Sequence, residues 1–100
     1  MSEVALRPLI DQELEQQAPR DKEKLVAKGV YGRILQVLAV SDVEGLVPKV
    51  PFVEGKGRAA VIRLVDAKHV ERAQEVIRQA VQDIVAGGVE NFQWSPSEII

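Results

Sequence analysis

The chain has 100 residues, 46% of them apolar and 28% charged, with a formal net charge of −2 and no cysteine. That length supports one hydrophobic core, hence a single small domain over residues 1–100. The missing thiols exclude disulfides, thiolate nucleophiles and zinc knuckles, and the near-neutral balance gives no global attraction to nucleic acid or an anionic membrane.

The first residues carry Glu3, Arg7 and Pro8 instead of a basic start and an apolar run. The longest apolar stretch, 34–40, contains Gln36 and is far shorter than a membrane span. A soluble protein, cytoplasmic by default and with no membrane role, is therefore expected. Residues 1–6 read as an extended lead-in. Pro8 suits a helix start, and Leu9, Ile10 and Leu14 give a short acidic helix to Gln17, broken at Ala18-Pro19. A second helical piece covers 21–28, with Leu25 and Val26 inward and Gly29 as its stop.

Residues 30–40 (VYGRILQVLAV) allow two readings. Tyr31, Ile34, Leu35 and Leu38 have helical spacing. Against that, Gly29 and Gly32 would each cost about 1 kcal/mol inside a helix, and Val and Ile suit the pleat. The balance predicts a buried strand at 34–40. Residues 41–57 form a long connection. Ser41-Asp-Val-Glu44 has capping-box spacing, with one helical turn closing at Gly45, and Pro48 and Pro51 restrict any strand there to an edge position at 50–53. Glu54-Gly-Lys-Gly57 then reads as a hairpin turn.

Residues 58–88 are the most legible stretch. Arg58–Val65 is apolar on both faces apart from Arg63, which predicts an interior strand. Asp66 stands at an N-cap position. From 67 to 86, Val70, Ala73, Ile77, Ala80, Val81 and Ile84 form one stripe, opposed by Lys68, Glu71, Arg72, Glu75, Gln79 and Gln82. Gly87-Gly88 supplies a left-handed stop. Residues 89–94 alternate as a last strand, with Glu90, Phe92 and Trp94 on one face. The fold expected is α+β, a two-layer sandwich. A mixed sheet of three or four strands (about 33–40, 50–53, 58–65 and 89–94) would be packed by the 67–86 helix and short N-terminal helices.

Residues with catalytic or ligand chemistry are sparse. His69 is the lone histidine, too little for a histidine-based metal site, and reads as a surface or half-buried helix residue. Gly55-Lys56-Gly57-Arg58 could contact an anion through backbone N–H groups and two cations, but it precedes a strand and lacks the phosphate-loop pattern. Asp11, Glu13 and Glu15 read as a solvated helix face, not a catalytic pair. Four acids and one base occupy residues 2–17, and five bases and two acids occupy 20–33, a split that suggests one helix pairing with its neighbour.

No catalytic residue, metal site or cofactor is predicted. The expected function is a non-catalytic protein–protein interaction or assembly module, as a homo-oligomer or a small structural or regulatory subunit of a larger complex. Phe92, Trp94, Ile99 and Ile100 are the partner-binding candidates, because aromatics concentrate at interface hot spots. One alternative is a small-anion or metabolite sensor using the 41–57 loop, with Lys56 and Arg58 as contacts. Another, disfavoured, is nucleic-acid binding through the basic 20–33 segment.

Overall fold

The computed structural model describes residues 2–41, 43–47 and 62–94. They form an α+β domain in the order β1 (Glu3–Ala5), α1 (Leu6–Gln17), α2 (Lys22–Ala27), α3 (Val30–Val40), β2 (Leu46–Val47), β3 (Leu64–Asp66) and α4 (Val70–Ala86). Two 3₁₀ turns, Ala67–His69 and Val89–Asn91, flank α4.

The three strands make a small sheet in the order β1-β3-β2, antiparallel throughout. β3 is central, as an apolar strand should be. Val65 faces Val4 across one ladder and Leu46 across the other, so these three share the inner face; Val65 is wholly buried, and its two neighbours pack against the core. The ladder extends through Leu6 N–H to Arg63 O (3.0 Å) and Asp66 N–H to Gly45 O (2.8 Å).

Helices supply the rest of the core. α4 packs mainly against α1 and α3. Its buried residues are Ala73, Val76, Ile77, Ala80, Val81 and Ile84, with Val70 half-buried, so the expected stripe holds and gains Val76. α1 contributes Leu6, Ile10 and Leu14, one per turn on a single face. Asp66 Oδ1 accepts from Lys68 N–H at 3.0 Å, the predicted cap, here opening the 3₁₀ turn before α4.

Several expectations need correction. Residues 30–40 are a helix, not a strand. Val30, Ile34 and Leu38, each four residues on from the last, are completely buried. Gly29 lies outside the helix at φ 91°, ending α2 and opening α3, so only Gly32 carries the interior-glycine cost. Residues 89–94 are not a strand either: Asn91 N–H bonds Gly88 O and Phe92 N–H bonds Val89 O, closing a tight turn. The lead-in holds a strand, β1, too short to show periodicity. No parallel pair occurs among the described residues, so the sheet is antiparallel where a mixed one was expected. Ser41 ends α3 through its hydroxyl, which donates to Val37 O; the predicted capping-box turn runs through residue 42, outside the described residues. Val26, expected inward, is exposed. The proposed strand at 50–53 and the first half of the one at 58–65 lie outside the described residues.

Candidate functional site

α3 and α4 run antiparallel. Gly29 and Gly32 at the start of α3 touch Trp94 beyond the end of α4, while Gly45, past the end of α3, meets Asp66 and His69 ahead of α4. Between the two helices lies a cleft of about 510 Å³. Val37 from α3, Val76, Ala80 and Ile84 from α4, and Phe92 give it an apolar lining. Arg33, Arg72, Glu75 and Asp83 also border it and bring both signs of charge.

The residues beyond α4 lie as a strap across the α2–α3 corner. Lys24 Nζ donates to Glu90 Oε1 at 2.7 Å. Lys28 Nζ donates to the carbonyls of Val89 (3.0 Å) and Glu90 (3.2 Å), and Lys28 O accepts from Trp94 N–H at 3.1 Å. These bonds occupy backbone acceptors that a strand would have used in a ladder. Trp94 Nε1–H donates to Gln36 Oε1 at 3.0 Å, and Arg33 Nη1 donates to the same oxygen at 3.0 Å. Gln36 therefore joins the strap to a cleft residue. A Cβ at Gly32 would stand 2.1 Å from the indole ring, so glycine here is a steric requirement for seating Trp94.

The charge split resolves into contacts within the chain. Lys22 Nζ donates to Glu15 Oε1 at 2.9 Å and lies 3.7 Å from Asp11. Glu13, expected on a solvated face, is buried and accepts from Arg78 Nε of α4 at 3.4 Å and Gln17 Nε2 at 3.3 Å. The three carboxylates of α1 thus turn to partners on other elements or within the chain, Asp11 and Glu15 sharing Lys22 and Asp11 also accepting from the Tyr31 hydroxyl. A second cavity of about 490 Å³ is lined by Leu6, Ile10, Leu35 and Ile62 with Arg7 and Tyr31; the Arg7 guanidinium lies 4.3 Å from the Tyr31 ring centre.

Burial, then the bond to Asp11, raises the Tyr31 phenol above its usual value, with Arg7 opposing. The folded state thus keeps this proton to higher pH than the unfolded chain. Its contribution to stability is complete below the unfolded value of about 10 and is lost as pH rises beyond it. Tyr31→Phe is expected to flatten the fall in urea midpoint between about pH 9 and 11. An unchanged slope would show that the phenol does not drive it.

Of the partner-binding candidates, Phe92 is half-buried at the α3/α4 cleft and Trp94 is seated on α3. Ile99 and Ile100 lie outside the described residues, as do Lys56 and Arg58. His69 is half-buried beside Gly45, with Nε2 3.7 Å from Glu44 Oε2. Among the described residues no group of three or more His, Cys, Asp or Glu is placed to hold a metal, and no helix is long and apolar enough to cross a membrane. Sequence reasoning missed the cleft. Its signal was the helical reading of 30–40, which puts Arg33, Val37 and Val40 on one face.

No protein-family model, curated protein or solved structure matches this chain.

Proposed function

We propose that this chain is a non-catalytic interaction and assembly module that presents the α3/α4 cleft to a second copy of itself. The observation that carries this reading is the composition of α3 set against its burial. Apart from Gly32, Arg33 and Gln36 the helix is apolar or aromatic on every side. Yet only Val30, Ile34 and Leu38 are fully buried, while Leu35, Val37 and Ala39 are half-covered and Val40 is 56% exposed. An all-round apolar helix belongs inside a structure, and Val40 lies on the same helical face as cleft residues Arg33 and Val37.

A second copy suits the charges. The cleft carries two arginines and two carboxylates; Arg72 and Glu75 pair within the chain at 3.7 Å, and a two-fold axis can set Arg33 and Asp83 against their opposites on the partner. The basic 20–33 segment supports nucleic-acid binding less well, because Lys22, Lys24 and Lys28 already hold carboxylates or carbonyls of the same chain.

Native mass spectrometry and light scattering of the full chain over a concentration series test this reading. The expected result is a dimer that Val40→Asp weakens by about 10- to 100-fold, since a charge is placed in an apolar contact, with an unchanged helical signal because Val40 is already exposed. A monomer at every concentration up to about 1 mM, or a dimer indifferent to Val40→Asp, would remove it.

A further inference from the structure

We propose that the strap Val89–Trp94 is exchangeable, and that the slot formed by Gly29, Gly32 and Gln36 on α3 is a site where the Trp94 indole of a second copy is seated. The inference rests on the assembly reading only in taking a second copy as partner; the indole slot on α3 is a different surface from the cleft, although the strap's Phe92 also lines the cleft.

The slot is shaped for this side chain. An interior glycine costs a helix about 1 kcal/mol relative to alanine, and Gly32 gives the indole the space that any Cβ would fill. Gln36 Oε1 accepts the indole N–H at 3.0 Å, and Lys28 O accepts the Trp94 backbone N–H at 3.1 Å. Shape and both donors of the tryptophan are thus satisfied by one short stretch of the chain.

The strap is built to come away. Its bonds to the body run from residues 89–94 back to 24–36, through largely exposed Lys24, Glu90 and Lys28 contacts. Val89 and Phe92 pack against the core from the side, and segments secured in part by exposed hydrogen bonds open ahead of the whole fold. Gly87 and Gly88 precede the strap, and Gly88 sits at φ 94°, a conformation glycine enters and leaves without side-chain penalty. A rotation there would swing the strap outward with α4 unchanged. The strap's bonds to residues 24–36 are distant in sequence, so two copies can remake them in exchange, the low-cost route to a swapped dimer; the bond from Asn91 Nδ2 to Gly87 O (3.0 Å) is local to each chain. Closure within one chain competes, at the millimolar effective concentration of a short tether.

The test removes that competition from two full-length variants. Trp94 is the lone tryptophan of the chain, so its emission reports the slot directly. Gly32→Ala keeps the strap tryptophan and closes the slot; Trp94→Ala keeps the slot and carries no tryptophan. Gly32→Ala alone is expected to show red-shifted, solvent-exposed emission with full helical circular dichroism. Adding Trp94→Ala is expected to shift that emission back to the blue, saturating at roughly 0.1–1 mM, with a one-to-one species in native mass spectrometry.

Emission that stays blue in Gly32→Ala alone would overturn the slot. A mixture that equals the sum of its parts, with no mixed species, would overturn the exchange. If Gly32→Ala loses its helical signal, Gln36→Leu, which removes the indole's acceptor, takes its place with the same expected and overturning results. Val40→Asp added to both variants separates the two surfaces: loss of the cleft dimer with retention of the blue shift leaves the exchange standing alone.

Discussion

Ile77→Ala is expected to lower the stability of this domain by about 3–4 kcal/mol, read as a fall in urea midpoint at unchanged slope. Ile77 is completely buried at the middle of α4, the helix that packs against both α1 and α3. Truncation removes three carbons' worth of transfer free energy and leaves a cavity that three helices would have to shift together to close. Since a domain of this size holds about 5–15 kcal/mol in total, the variant sits near the edge of folding. A loss below about 1 kcal/mol would mean that the helices repack and that α4 is not the central support.

The second large effect falls on a glycine. Gly45 has φ 81°, and a Cβ there would lie 2.8 Å from the His69 ring and 2.9 Å from Asp66 Cβ. Gly45→Val therefore meets two independent penalties, a left-handed backbone that β-branched residues resist and a contact that overfills the corner between β3 and α4. Together they are expected to cost about 2–4 kcal/mol. The backbone bond from Asp66 N–H to Gly45 O ties the same corner to the sheet, so β2 should loosen with it. Gly87→Ala is the comparison: φ is −77° and the nearest atom is 3.4 Å away. It should be neutral or stabilise by a few tenths of a kcal/mol to about 1. Equal losses at both positions, by thermal or urea denaturation, would show that neither the sign of φ nor the contact matters.

The cleft and the strap adjoin: Phe92 of the strap lines the cleft, and Gln36 bonds to both sides. Gln36 Oε1 accepts from Arg33 beside the cleft and from Trp94 on the strap. A partner that draws Arg33 away would leave Gln36 wholly to the indole, and a strap that lifts would leave Arg33 its acceptor. The two surfaces are neighbours on one helix, α3, whose apolar character exceeds what the described core covers.

The α4 stripe, the Asp66 cap, the stop at Gly29 and the central place of β3 were legible in the sequence, because each depends on spacing or backbone geometry within a few residues. The acidic and basic halves likewise announced contacts between neighbouring helices. What the chain alone misassigned was decided by partners far away in sequence. Gly32 looked like an argument against a helix until Trp94, 62 residues on, was found filling its missing side chain. Glu13 looked solvated until Arg78 of α4 was set against it, and residues 89–94 alternated like a strand while Lys28 took their carbonyls. Local propensity differs between helix and strand by about 1 kcal/mol per residue or less. Burying one indole or one isoleucine is worth more than that, so wherever the two disagreed, tertiary packing set the outcome.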